Sequence, residues 1–289
     1  MSEGMARFSL DEKVVETLLD PQNKVIMVIG GPDTGKTTLV EELASLFSAQ
    51  FRVGVVDADI GQSHIGPPTT IAWAPLRGKF SGWEKIKCED MYFVGTTSPS
   101  GNLLPVVTGT KIICDIARQK VDKVIIDTTG MIRGGAGKIL KICKIEVIKP
   151  QVVLALERED ELSSILRAFK GMRTPLILRI SISSKVSQKP YLHRVSYRRR
   201  KFREYFKDAQ RIVLLRNKLG MRDIRPGESL HNRLISLKSE EGRDLALGII
   251  DKEEEGGQLS IYTPLDASRR IAAIVLGGVR VDLEGRELP

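Results

Sequence analysis

Residues 29–38 read "IGGPDTGKTT", and this run decides the fold. It fits the spacing G-x-x-x-x-G-K-[ST], with Gly30 as the first glycine and Gly35, Lys36 and Thr37 closing the pattern. Glycines let successive backbone N–H groups turn inward around an anion, and a helix that begins at once adds its positive N-terminal end. In such a loop Gly30, Gly31, Pro32, Asp33, Thr34, Gly35, Lys36, Thr37 and Thr38 surround nucleotide phosphates, Lys36 reaches the β and γ phosphates, and the Thr37 hydroxyl binds Mg2+. The flanks agree. Upstream, "KVIMVIG" (24–30) is a short apolar, β-branched run suited to a buried strand; downstream, "TTLVEELASLFSAQ" (37–50) puts Leu39, Leu43, Leu46 and Phe47 on one helical face.

Working outward, a short amphipathic helix is expected to end near Leu19, and "FRVGVVDADIGQ" (51–62) predicts a strand that finishes in two acids. Further strands are expected in "MYFVG" (91–95), "KVIIDTTG" (123–130), "QVVLALE" (151–157) and "PLILRI" (175–180), with helices near 105–119, 137–148 and 160–169. Such alternation predicts an α/β fold, a P-loop three-layer sandwich with a mainly parallel sheet and helices on both faces. Ligands of these sheets sit at the carboxyl ends of the strands. Three ends carry polar groups here: Asp57 with Asp59, the loop "GTTSPSGN" (95–102), and Asp127 with Thr128 and Thr129.

From about Asp208 the character changes to short apolar runs separated by Gly, Asp and Glu, the pattern of a small antiparallel β-domain. The expected division is a P-loop domain over residues 1–207, including an arginine-rich segment at about 185–206, and a β-rich domain over 208–289. "DKEEEGG" (251–257) reads as an exposed hairpin turn.

Composition narrows the classes. With 42% hydrophobic residues, no apolar run approaches the roughly 18 residues of a membrane span, and no leader peptide is apparent, so a cytoplasmic protein without a membrane partner is expected. The three cysteines, Cys88, Cys114 and Cys143, are too scattered for a disulfide framework or a zinc site. A formal charge of +9 is weak by itself. Its distribution says more: "HRVSYRRRKFR" (193–203) holds six cations and no acid, interleaved with Tyr197 and Phe202. The segment suits a polyanion, and a solvated helix face is the plainer alternative.

In "VVDADIGQSHIGPPTT" (55–70) two carboxylates lie two residues apart at a strand tip, and their side chains point the same way unless the strand has ended. One of the two can help hold Mg2+ and the other accept a proton, or either can cap the next helix. Gln62 is placed to orient a water, the metal or a substrate hydroxyl. His64 reads as a surface or packing residue.

Taken together, "GPDTGKTT", "DADIGQ", "GTTSPSGN", "DTTGMIRGGAG" and the arginine run ending in "REYF" resemble the polynucleotide 5′-hydroxyl kinase family, over roughly residues 24–206. That family includes a subunit of the eukaryotic pre-mRNA cleavage complex and the nucleolar pre-rRNA processing kinase. The resemblance implies transfer of the ATP γ-phosphate to the 5′-hydroxyl of RNA or DNA, with ATP and Mg2+ as cofactors. It casts Lys36 and Asp59 as catalytic, Asp59 as the base, and Arg198 and Arg203 as lid arginines closing over the transferring group. Thr37 and Asp57 fall on the metal side. Gln62 stands beside them, while Thr96, Thr97 and Pro99 resemble a clasp on the terminal nucleotide, with Asp127 also facing substrate. Trp73 and Tyr197 are candidate surfaces for base stacking. Rival readings are a nucleotide-binding scaffold of an RNA-processing complex, a partner-sorting P-loop ATPase or GTPase, and a small-molecule kinase.

Overall fold

The computed structural model describes residues 8, 10–182, 191–223, 229–254, 256–266 and 268–289. Part of the arginine-rich segment expected at 185–206, namely 185–190, lies outside the described residues. The first sheet is built from β1 (Val25–Gly30), β2 (Val53–Ala58), β3 (Thr70–Pro75), β4 (Asp90–Phe93), β5 (Lys123–Thr128), β6 (Val152–Glu157) and β7 (Leu176–Ser181), in the spatial order β4-β3-β2-β5-β1-β6-β7. β2, β5, β1, β6 and β7 run parallel; at one edge β3 folds back antiparallel to β2, and β4 is antiparallel to β3.

Both faces of this sheet are covered, and this is why its strands are continuous apolar runs. Along β1, Val25, Met27 and Ile29 face a core shared with α3 (Leu103–Lys120), α4 (Gly134–Ile148) and α5 (Ser163–Leu166). Ile26 and Val28 face the opposite core, with Leu18 of α1 (Glu12–Leu19) and Leu39, Leu43 and Phe47 of α2 (Lys36–Phe47). Asp11 caps α1 by accepting a hydrogen bond from the Val14 N–H at 2.8 Å. No helix among the described residues is long and apolar enough to cross a membrane.

The second sheet comprises β8 (Gln210–Leu215), β9 (Gly220–Asp223), β10 (Arg233–Lys238), β11 (Asp244–Glu254), β12 (Gln258–Thr263), β13 (Ala273–Val281) and β14 (Glu287–Leu288). Its order is β14-β13-β10-β11-β12-β8, antiparallel throughout, with β9 added parallel to β13. The basic helix α6 (Tyr191–Phe206) is shared between the two halves. Phe202 and Phe206 are buried in one core with Phe93 of β4 and Leu234, Leu247 and Val275 of the second sheet. That sheet also splints the first: the Gly278 N–H donates to the Gly95 carbonyl at 2.8 Å, and the Phe93 N–H to Asp244 Oδ2 at 3.2 Å.

Two expectations change here. β3 lies where no strand is expected, and it buries Trp73 completely, with its indole N–H donating to Asp90 at 3.0 Å. Trp73 is therefore core and offers no face to a base. The helix expected over 160–169 shrinks to α5 and a 3-10 turn at Arg167–Phe169.

Candidate active site

The loop between β1 and α2 is held open by backbone geometry that its residues dictate. Gly35 has φ +85°, and a Cβ on Gly30 would lie 2.7 Å from the Leu156 carbonyl oxygen, so a side chain has no room there. The Thr34 hydroxyl donates to the Gly31 carbonyl at 3.0 Å, and Lys36 Nζ donates to the same oxygen at 2.6 Å. Burial lowers the Lys36 pKa, against the pull of Asp127, Asp59 and Asp33. An inward-turned loop, a buried cation and a helix N-terminus together make a phosphate cradle, and the residues present fit a nucleotide.

A cleft of about 510 Å3 opens over this loop, lined by Pro32 to Thr38, Asp59, Gly61, Gln62, Thr97 to Ser100, Thr129 to Met131, Arg194 and Arg198. The carboxyl ends of β1, β2 and β5 and the loop after β4 thus meet at one edge. Close backbone approaches fix the meeting: a Cβ on Gly61 would lie 2.8 Å from the Thr97 carbonyl oxygen, and one on Gly130 would lie 2.7 Å from the Pro32 nitrogen.

The two acids after β2 diverge because the strand ends between them, at Ala58. Asp57 turns away from the cleft and is 2% exposed. Its Oδ1 accepts from the Asp59 N–H at 3.1 Å, and its Oδ2 from the Ser63 hydroxyl and the N–H groups of His64 and Ile65. Asp57, expected on the metal side, instead ties the 59–65 loop to the sheet. Burial pushes its pKa up to about 6. Asp59 enters the cleft, with Oδ1 accepting from the N–H groups of Gly61 at 3.1 Å and Gln62 at 3.2 Å.

Asp127, expected to face substrate, lies beneath Thr37. The Thr37 hydroxyl donates to its Oδ2 at 2.7 Å, and its Oδ1 is buried with no hydrogen-bond partner among the described residues. Burial, reinforced by Asp57, pushes the Asp127 carboxyl up to about 6. An orphaned carboxylate oxygen beside the loop hydroxyl suits a hard divalent cation such as Mg2+. Among the described residues no cluster of three or more His, Cys, Asp or Glu side chains could hold a metal by itself, so such an ion would also lean on phosphate oxygens.

The arginine pair also differs from expectation. Arg198 lines the cleft and is paired through Nε with Glu287 of β14. Arg203 does not line the cleft: its side chain is exposed and its backbone N–H faces the turn at Gly285. Five residues along a helix rotate a side chain by roughly 140° from its start, whereas four leave it within roughly 40°. The second arginine in the cleft is accordingly Arg194, four residues before Arg198, ion-paired to Asp33 of the loop at 2.7 Å. The i, i+4 spacing in "RVSYR" carried that signal.

Of the clasp residues, Thr97 and Pro99 line the cleft; Thr96 is buried, its hydroxyl donating to the Ser98 carbonyl at 3.0 Å. Lys141 escaped the sequence reading. Wholly buried on α4, its Nζ donates to the Thr128 hydroxyl at 2.8 Å and to the Thr129 carbonyl, steadying the loop beside Asp127. A lysine inside the apolar face of "GKILKICKIEVI" was the available clue.

A phosphate loop on a mainly parallel sheet, with an acid and two arginines over one cleft, defines the P-loop fold class. The family described as mRNA cleavage and polyadenylation factor CLP1 P-loop matches residues 30–208, and the chain belongs to that family. A protein of Methanocaldococcus jannaschii named polyribonucleotide 5′-hydroxyl-kinase is 41% identical over 186 residues, covering 64% of this chain and 51% of that relative, so the match spans about half the relative's length. A Pyrococcus horikoshii protein of the same name is 33% identical over 320 aligned positions, covering 91% of this chain and 87% of the relative. A solved structure of a Clp1p–Pcf11p complex superposes with a TM-score of 0.70 over 93% of this chain and 79% of that one, at 16% identity, a likeness of fold.

Proposed function

We infer that this chain is an ATP-dependent polynucleotide 5′-hydroxyl kinase, transferring the γ-phosphoryl group of ATP to the 5′-hydroxyl end of RNA and/or DNA, with single-stranded ends as the preferred acceptor. The observation that carries the reading is the convergence of Lys36, Asp59, Arg194 and Arg198 on one cleft above the phosphate loop. The curated names of the archaeal relatives support RNA as the acceptor.

Phosphoryl transfer asks the protein for positioning and charge neutralisation more than for covalent chemistry. The backbone N–H groups of residues 30–38 other than Pro32 hold the phosphates, and Thr97 and Pro99 hold the acceptor end across the cleft. Asp59 accepts the proton of the 5′-hydroxyl as its oxygen bonds to the γ phosphorus and the bridge to the β phosphate breaks, releasing ADP. Two backbone N–H groups fix the orientation of the Asp59 carboxylate before reaction. Lys36, Arg194 and Arg198 offset negative charge on the transferring oxygens. Thr37 and Asp127, in place of Asp57, would hold Mg2+, which when bound supplies further charge neutralisation.

The test is incubation with γ-labelled ATP, Mg2+ and a single-stranded 5′-hydroxyl oligonucleotide. Label should appear on the oligonucleotide, and Asp59→Ala should slow transfer on the order of 10²- to 10⁴-fold while nucleotide binding persists. Free phosphate alone would instead indicate water as acceptor, and an unaltered rate in Asp59→Ala would remove that residue as the base.

A further inference from the structure

A row of rings leads away from the cleft at its acceptor side. Two residues past Gln62, the ring of His64 lies 5.2 Å from that of Trp83 and 5.7 Å from that of Tyr197, and Phe80 packs edge-on against Trp83 at 5.0 Å. All four are half-buried, so each is held and still reaches solvent. The row is anchored by three hydrogen bonds that involve α6 and α2. The Tyr197 hydroxyl of α6 donates to the Ser63 carbonyl at 2.9 Å, Lys201 Nζ donates to the His64 carbonyl at 3.0 Å, and the Trp83 indole N–H donates to Glu41 of α2 at 2.6 Å. The Arg200 guanidinium lies 5.3 Å over the Tyr197 ring.

Beyond Trp83 the row runs into the loop that joins β3 to β4. This loop encloses a second cleft of about 250 Å3 and presents Arg77, Lys79, Lys85 and Lys87, all exposed. Between residues 77 and 89 only Glu84 and Glu89 oppose them, and Glu89 is paired with Lys120 at 3.2 Å. Rings interleaved with cations form the surface that single-stranded nucleic acid takes, because bases stack on the rings while phosphates follow the charge, with little regard to sequence. None of these loop cations lines the phosphate cleft, so its chemistry leaves them unexplained.

We propose that the His64–Tyr197–Trp83–Phe80 row and the Arg77–Lys87 loop form a track for the nucleotides that follow the 5′ end of a single-stranded substrate. The proposal rests on the kinase reading and extends it: the cleft holds the terminal nucleotide, and the track holds the strand behind it. Affinity therefore grows with strand length beyond the terminal nucleotide, and falls with salt in proportion to the phosphates engaged.

The probe is a 5′-hydroxyl oligoribonucleotide of 12 nucleotides, fluorescein-labelled at its 3′ end, compared with a dinucleotide. Binding is read by anisotropy across a salt series, and transfer by labelled ATP. The unmodified 289-residue chain is compared with the quadruple variant Arg77→Ala, Lys79→Ala, Lys85→Ala, Lys87→Ala, with the reversal Lys85→Glu, Lys87→Glu, and with Trp83→Ala, each checked by thermal melting. The native chain should favour the 12-mer over the dinucleotide at least tenfold. Both charge variants should lose most of that advantage, the quadruple variant lowering the magnitude of the salt slope by about 2 to 3, and Trp83→Ala should lose roughly fivefold or more on the 12-mer. The track is overturned if folded variants keep the length advantage and the slope, or if polyglutamate of equal charge displaces the 12-mer as well as RNA does. Length-dependent binding that vanishes in the variants without label on any oligonucleotide would keep the track and sink the kinase reading; label transfer with no length dependence would do the reverse.

Discussion

Asp57 and Asp59 share a residue type and sit two positions apart, yet only Asp59 lines the cleft, because Ala58 is the last residue to keep the strand's alternation. The same logic separates the arginines. Arg194→Ala should slow transfer by about 10³-fold or more, as loss of an arginine does in related chemistry, while Arg203→Ala stays within about twofold; steady-state transfer assays on the two variants check this. Asp127 sets a pH dependence. With its carboxyl pushed up to about 6 by burial, the metal-free protein protonates it as pH falls through that value, and a protonated carboxyl is a poor Mg2+ ligand. Mg2+ affinity in the presence of ATP should weaken about tenfold per pH unit below about 6 and level off above it, and Asp127→Asn should remove most of the affinity together with the pH dependence, both read by calorimetry. The stability effect has the opposite sense: a raised acid destabilises the folded chain above pH 6 and ceases to as pH falls toward the ordinary value of 3.8.

At the level of elements, α6 owes its position to the second sheet. Gly285, at φ +77°, lets the β13–β14 turn press against the helix, and a Cβ there would lie 2.2 Å from the Arg199 carbonyl oxygen. Gly285→Ala should therefore displace α6 and depress transfer roughly 10- to 100-fold, with nucleotide affinity nearly unchanged, as equilibrium binding and transfer rates together report. The phosphate loop and the parallel strands were legible because a loop sequence demanded by anion geometry sat between a two-sided apolar strand and a one-sided helix. β3 was not, since "TIAWAP" (70–75) is short and lies just beyond the proline pair Pro67–Pro68. The run "RRRK" (198–201) announced charge but hid direction, which depends on where the helix docks; only spacing against Arg198 could select Arg194. The divergence of Asp57 from Asp59 was not legible, because the end of a strand, to the residue, is set by hydrogen bonds that local sequence barely encodes.

Over the whole molecule the two sheets share one hydrophobic core. Phe93 comes from the first sheet and Phe202 and Phe206 from α6, and all three are covered by β10, β11 and β13. Each such side chain forfeits about 1.5–3 kcal/mol of burial when exposed, so a fragment ending at residue 207 should fail to yield a soluble folded species. The full chain should unfold in a single transition in which near- and far-ultraviolet circular dichroism coincide. The splint between Gly278 and Gly95 has a consequence for engineering. Loops of this kind are commonly treated as transplantable parts, yet "GTTSPSGN" is pinned at its first residue, Gly95, by Gly278 of a strand far downstream in the chain. Moved into another P-loop scaffold, it would arrive without its mould, and specificity would not travel with it.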